Sequence, residues 1–313
     1  MKISKKRIAF FSAAEIAFPC LEVLRQRVDV DFCGIVTQPG RAKGRGQKIS
    51  LNPVAEWAQN HAIPFYQAEK MDAFAYQWLS DLQPDLIFVM AFGHILKKEF
   101  LSLPPLGMWN FHTSLLPKYR GASPIQTALL NGDEETGVTL MSMAEKMDAG
   151  AWLAQKKIKI KPQDTTVSLS DELAHVSAEL LSETLPSLLT QDYILTPQNE
   201  AEVCFCKKFD KSSGLVNFTK SASIIERQVR AFYFWPGSYF FKRDERYILH
   251  EVHILSRAPV GDCGTFFTDQ QKRHLYVTTG DGVLEIEKLQ KAGGKILTAS
   301  EFLRGNQKFL SNL

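Results

Sequence analysis

Asp85-Leu86-Ile87-Phe88-Val89-Met90-Ala91 is apolar at every position after the first. A run this short and this apolar reads as a central parallel strand, covered by helices on both faces. The neighbouring segments fit that frame. Arg7–Phe11 and Val28–Thr37 read as strands, with a helix over Glu15–Gln26 between them and another over Pro53–His61, whose proline sits in its first turn. Downstream, Gly107–His112, Val138–Met143 and Trp152–Ile160 read as strands, and Ser168–Leu189 has the three-and-four apolar spacing of a long amphipathic helix. Strands alternating with helices predict a doubly wound, mostly parallel α/β sheet of Rossmann-like type. In such sheets ligands bind at the carboxyl ends of the strands. That directs attention to the loops after Phe11, Thr37, Ala91 and His112.

The pattern lapses into polar residues and a proline around Gln191–Gln198. The predicted organisation is a catalytic domain over 1–190, a linker over 191–206 and a second domain over 207–313. In the second, one helix (Ser221–Phe232) stands among five short strands: Ser238–Lys242, Tyr247–Leu255, Gly264–Thr268, Leu275–Thr279 and Val283–Leu289. This suggests a small β-barrel resembling an OB-fold. From Lys207 onward the chain carries 17 Lys and Arg against 11 Asp and Glu, about +6, which leaves about −3 of the total +3 for the rest. A basic second half hints at a polyanionic partner.

Five scattered cysteines in 313 residues argue against a disulfide scaffold and for a reducing compartment. Cys204-x-Cys206 lacks a second pair to complete a zinc site and reads as two alternating strand residues. The basic start and apolar Ile8–Ala14 imitate a secretory signal, but the run is only about seven residues and Glu15 ends it. A buried first strand explains it better. No segment approaches the roughly 20 apolar residues of a membrane-spanning helix. The expected location is the cytoplasm.

Three constellations carry chemistry. Asn110 and His112 share one face of a strand at its carboxyl end. An amide donor beside an imidazole suits attack on a formyl carbonyl: the amide holds the oxyanion, and the imidazole donates to it or moves a proton. The blander alternative is a polar pair with His112 bonded to backbone. Met147-Asp148-Ala149-Gly150 is an ordinary Asx-turn unless the fold brings Asp148 to His112. There its carboxylate could orient the ring and stabilise its cation. Third, Gln38–Lys48 holds Arg41, Lys43, Arg45 and Lys48 with three glycines and no acid. It is either a solvated turn or a mobile phosphate-binding loop. It contains neither a Walker string nor a dinucleotide fingerprint.

The string Asn110-x-His112-x-Ser114-Leu115-Leu116-Pro117-Lys118-Tyr119-Arg120-Gly121-Ala122-Ser123-Pro124-Ile125, with Glu135–Thr139 and Met147–Gly150, resembles the folate-dependent formyltransferases. The likeness extends nearly end to end, through Thr37-Gln38-Pro39, Arg230-Ala231-Phe232, Trp235-Pro236 and Thr279–Gly282, and is strongest to the branch that formylates initiator methionyl-tRNA. The resemblance implies Asn110, His112 and Asp148 as the catalytic trio. It implies a folate site lined by Ser114, Leu115, Leu116 and Pro117 with Phe92 and Gly93 of the Ala91–Ile95 loop. It also implies that the basic loop, Arg45 foremost, meets the acceptor end of tRNA. The donor would be 10-formyltetrahydrofolate, with no metal, no membrane and no stable protein partner, so a monomer. Four departures stand out. Ser12-Ala13-Ala14 replaces a Gly-Thr-Pro turn, Phe92 a tyrosine, His94 and Lys97 a leucine and a proline, and Asn217-Phe218 an Asp-Trp pair.

A sugar-nucleotide formyltransferase, or the hydrolase part of a formylfolate dehydrogenase, shares the same core, and Ala154-Gln155 fits the sugar-nucleotide branch equally well. The basic loop and basic second half favour RNA over both. An RNA-binding protein that has lost catalysis is disfavoured by the intact trio.

Overall fold

The computed structural model describes residues 5–40, 42–43 and 48–310. The chain opens with strand β1 (Lys6–Phe11), helix α1 (Phe18–Gln26), strand β2 (Val30–Thr37), the short antiparallel pair β3 (Ala42–Lys43) and β4 (Lys48–Ile49), helix α2 (Pro53–Asn60) and strand β5 (Phe65–Gln67). Helix α3 (Ala73–Leu82), strand β6 (Leu86–Val89), helix α4 (Lys98–Leu101) and strand β7 (Met108–His112) follow. Then come β8 (Arg120–Gly121), α5 (Pro124–Asn131), β9 (Glu135–Ser142), β10 (Trp152–Lys159), α6 (Thr166–Thr190) and β11 (Phe205–Cys206).

Seven strands form one sheet in the order β10-β9-β7-β6-β1-β2-β5. The pairs from β7 through β5 are parallel; β9 runs antiparallel to β7, and β10 to β9. Ile8 to Phe11 and Leu86 to Phe88 are fully buried. Because successive strand residues face opposite sides, both faces of the sheet are covered. On one face Ala9, Phe11, Ile87 and Val89 share a core with Ala75 and Leu79 of α3 and Phe100 of α4. The chain builds outward from β1 to β5, then returns to the other side of β1 as β6. Strand order therefore reverses between β1 and β6, which opens a crevice at their carboxyl ends.

The chain divides into two compact units, one comprising 1–124, 135–159 and 170–206, the other 125–134, 160–169 and 207–313. Residues 191–206, read from sequence as a linker, fall in the first unit. Trp152 and Thr196 exchange backbone hydrogen bonds of 3.0 and 2.9 Å, and β11 pairs in parallel with β8. Residues 125–134 and 160–169 belong to the second unit. There Ile160 N–H donates to the Glu134 carbonyl (2.8 Å), Arg227 to the Asn131 carbonyl (3.2 Å) and Arg230 to the Asp164 carbonyl (3.0 Å).

Beyond residue 207 lie α7 (Ala222–Ala231), β12 (Ser238–Lys242), β13 (Glu245–Leu255), β14 (Phe266–Thr268), β15 (Leu275–Thr278), β16 (Val283–Lys291), β17 (Ile296–Thr298) and α8 (Ala299–Gly305). Among the described residues there are two α-helices here where one was expected; α8 is short but starts on a capping box between Thr298 and Glu301. The antiparallel order is β12-β13-β16-β15-β14, with β17 beside β16. Strands β12 and β14 end the ladder, yet Phe240 and Phe266 stack at 4.9 Å between ring centroids. The sheet thus curls until its edges meet through side chains, around a core that includes Ile225, Leu275, Leu284 and Phe302.

Phe88 is fully buried between Phe10 and Phe111, at 6.3 and 5.4 Å between ring centroids. Phe88→Ala is expected to destabilise the first unit by about 3–5 kcal/mol. Urea unfolding followed by tryptophan fluorescence measures it, and a loss below about 1 kcal/mol contradicts the packing described.

Candidate active site

Strand β7 delivers Asn110 and His112 to its carboxyl end, two residues apart and on one face. Both are buried, at 9% and 6% exposure. His112 Nε2 lies 2.8 Å from the Tyr119 carbonyl oxygen. A carbonyl only accepts, so Nε2 carries the ring proton and Nδ1 of the neutral ring is an acceptor. Nδ1 faces Asp148 Oδ2 at 3.8 Å, inside ion-pair range and beyond hydrogen-bond length. Oδ2 in turn accepts the Gly121 N–H at 2.8 Å. Two acceptors therefore face one another in a largely buried place. That arrangement is suited to a group bearing protons, such as an amine. The Asn110 amide, 9% exposed, lies beside His112 on the same face of β7, and its NH2 group can donate to an incoming oxygen.

Asp148 reaches this position through a tight turn. Its φ is +49°, a left-handed conformation that Asp tolerates better than most residues. Gly150 follows because the turn lies against the end of β9: a Cβ there would meet the Ser142 carbonyl oxygen at 1.7 Å. The Ser142 N–H and hydroxyl both donate to the Ala151 carbonyl, at 2.9 and 3.0 Å.

The segment Ser114–Pro117 is fixed from below. Thr139 Oγ1, fully buried, donates to the Ser114 carbonyl (2.6 Å) and accepts from the Leu116 N–H (3.0 Å). Gln155 Nε2 donates to the Leu116 carbonyl (2.7 Å), and the Leu116–Pro117 bond is cis. The Ser114 hydroxyl donates to the Lys118 carbonyl at 2.6 Å. Among the described residues no group of three or more His, Cys, Asp or Glu is placed to hold a metal ion, and no helix is long and apolar enough to cross a membrane.

Two family models match the chain, "Formyl transferase" over residues 6–185 and "Formyl transferase, C-terminal domain" over 208–307. The chain belongs to the formyl transferase family. Among curated relatives, the methionyl-tRNA formyltransferase of Clostridioides difficile is 37% identical over 301 residues, covering 96% of this chain and 97% of the relative. That of Trichlorobacter lovleyi is 39% identical over 308 residues, covering 98% and 96%. Solved structures share the fold at lower identity. An N-formyltransferase from Helicobacter canadensis, in complex with folinic acid and dTDP-3-aminofucose, superposes with a TM-score of 0.66 at 21% identity over 92% of this chain and all of that one. HypX from Aquifex aeolicus in complex with tetrahydrofolic acid gives 0.65 at 18% identity. The match covers 99% of this chain, which spans about half the length of HypX (48%).

In this formyl transferase the remaining residues singled out from sequence fall out unevenly. Phe92 is a core side chain, 5.1 Å from Phe11 between ring centroids, and its carbonyl is taken by Gln38 Nε2 at 2.7 Å. Gly93, at φ +78°, is exposed, as are Ala91 and Ile95 of the same loop. Leu116 is likewise buried. Arg41 and Arg45 lie outside the described residues. Lys43 and Lys48 are described only as backbone, directly opposite one another in the β3–β4 pair.

Nothing in the sequence alone singles out Arg120, Gln198 and Glu200 as a group. Arg120 is fully buried; its Nε donates to Gln198 Oε1 (2.9 Å) and its NH2 group to Glu200 Oε1 (2.7 Å). That guanidinium holds the Glu200 carboxyl below the usual carboxylate range. The two cysteines bracket Tyr119. Cys204 Sγ accepts its N–H at 3.3 Å, and Cys206 Sγ donates to its carbonyl at 3.4 Å. Burial pushes the Cys206 thiol up from its ordinary value, so it stays a packed, protonated group.

Gly121 has φ +126°, and a Cβ there would meet the Cys206 carbonyl oxygen at 2.3 Å. Gly121→Ala is expected to part β8 from β11 and withdraw the N–H that holds Asp148. Turnover should fall about 100-fold; steady-state formyl transfer near the parent rate would contradict the arrangement.

Proposed function

We propose that the chain transfers the formyl group of 10-formyltetrahydrofolate to the α-amine of methionyl-initiator tRNA, acting as a monomer in the cytoplasm and without a metal. The observation that carries the chemistry is the separation of donors from acceptors. The Asn110 amide offers N–H groups, while His112 Nδ1 and Asp148 Oδ2 offer lone pairs 3.8 Å apart. The neutral amine attacks the formyl carbon, and its C–N bond forms as the carbonyl oxygen gains charge. Asn110 holds that oxyanion. The amine's surplus proton passes to His112 Nδ1, and Asp148 stabilises the imidazolium. Collapse breaks the bond to the folate nitrogen, which leaves with a proton returned from the imidazolium. Because Nε2 is committed to Tyr119, His112 serves as a proton carrier, and the oxyanion falls to Asn110.

Folate fits the crevice at the carboxyl ends of β1 and β6. His94 Nε2 is buried there without a hydrogen-bond partner among the described residues. A pterin carries both donors and acceptors able to satisfy it. The Gly93 loop and the fixed Ser114–Pro117 segment would line the folate, with the formyl group directed at Asn110, His112 and Asp148.

The acceptor assignment draws on the two full-length relatives named methionyl-tRNA formyltransferase. It draws as well on charge. In the second unit a cleft of about 560 Å³ is lined by Lys242, Arg243, Lys291, Arg304 and Lys308 against one acid, Glu245. This cleft, and the four cations that the sequence places within Arg41–Lys48, favour a phosphate-bearing acceptor.

Formyl transfer from 10-formyltetrahydrofolate should proceed to charged initiator tRNA and not to an amino-sugar nucleotide; the reverse preference overturns the acceptor. Asp148→Asn should lower kcat by about 10²- to 10⁴-fold with the fold intact. Arg45→Ala should weaken tRNA binding, and flatten its salt dependence by about one ion, without changing folate affinity. A filter-binding titration across salt concentrations reads the last effect.

A further inference from the structure

Asp148 holds a left-handed backbone conformation in a turn whose carbonyl groups need partners. One side chain supplies two of them. Gln198 Nε2 donates to the Asp148 carbonyl at 2.8 Å and to the Gly150 carbonyl at 2.7 Å, so both of its N–H bonds are spent on the two sides of the turn. A side-chain amide can be reversed, which would set its oxygen against both carbonyls. Arg120 prevents this. Its Nε donates to Gln198 Oε1 at 2.9 Å, and only the oxygen end of the amide can accept that bond. The guanidinium is itself fixed, being fully buried and paired with Glu200. The same Arg120 sits between Tyr119, whose carbonyl anchors His112, and Gly121, whose N–H anchors the Asp148 carboxylate.

We infer that Gln198 is a positioning residue for the reaction: oriented by Arg120, it clamps the Asp148–Gly150 turn and sets the carboxylate's distance from His112. The inference rests on the reading of Asp148 as the carboxylate that serves the transfer. Gln198 touches neither reacting carbon nor amine; its effect on rate passes entirely through Asp148. It also gives the segment 191–206 a role that its polar composition conceals, since the last piece of the site enters from there.

The test is a double-mutant cycle on the full-length protein with 10-formyltetrahydrofolate and charged initiator tRNA. Gln198→Met keeps the side chain's length and removes its donors. It should lower kcat about 10- to 100-fold while KM for both substrates stays within about threefold. In an Asp148→Asn background the same substitution should cost less than about threefold, because the group it positions is already gone. Gln198→Asn, whose amide is one methylene too short to reach both carbonyls, should behave as Gln198→Met does, and serves if the methionine variant folds poorly. An equal loss from Gln198→Met in both backgrounds overturns the inference, as does an unchanged kcat in the parent background. Full turnover by Asp148→Asn alone would instead sink the reading of Asp148, a distinguishable failure.

Discussion

The site depends on a short stretch of backbone. Tyr119 accepts from His112, Gly121 donates to Asp148, and the two catalytic candidates meet because one run of chain at β8 holds both. Neither side chain bonds the other directly at 3.8 Å. Their separation is therefore set by peptide geometry, which is stiff, rather than by side-chain rotamers, which are not. A backbone N–H to a carboxylate is a charge-assisted bond worth about 1.5–3 kcal/mol. This is enough to keep the carboxylate in place while its remaining lone pairs stay available.

That run is in turn a product of distant sequence. β8 has two residues and could not persist alone. It exists because β11 runs beside it, with Gly121 admitting the Cys206 carbonyl at a distance no Cβ would allow. Burying the Arg120 charge between them carries a desolvation cost of several kcal/mol, recovered only if its donors are paired. Gln198 and Glu200 supply those partners from the same returning segment. Glu200 is 64% exposed, so the ion pair reaches water at one end and, through Gln198, the Asp148–Gly150 turn at the other.

What the sequence discloses follows from how local each signal is. The buried parallel strands announce themselves, since an unbroken apolar run such as Leu86–Phe92, bounded by Asp85 and Gly93, is too short for a buried helix. The direction of β9 stays hidden, because side-chain alternation is the same in parallel and antiparallel pairing. Phe65–Gln67 is too short to show a period, whereas α3 does carry a readable start signal in its Asp72 cap, which its weak apolar spacing obscures. Asn110 and His112 are legible because two strand positions on one face need no tertiary knowledge. Asp148 is nameable only through the resemblance. Gln198 is invisible: in a polar, proline-bearing stretch nothing local distinguishes an amide facing water from one facing two carbonyls.

The geometry also bears on the two roles that the residues alone leave open for His112 in the proposed transfer. An imidazole beside an amide could donate to an oxyanion or carry a proton. Once Nε2 is bonded to Tyr119, the ring in its neutral form has no proton left to give. Its free nitrogen faces a carboxylate, and two acceptors at 3.8 Å are stabilised by whatever brings hydrogen between them. In the proposed transfer an attacking amine does this as it becomes cationic, so the site would grow more favourable as the C–N bond forms. Interactions that strengthen along the reaction coordinate lower the barrier, whereas those equally strong at the start do not. The bland reading of His112 as a backbone-bonded histidine and the functional one are then the same observation: the bond to Tyr119 is what leaves Nδ1 as the only nitrogen able to act.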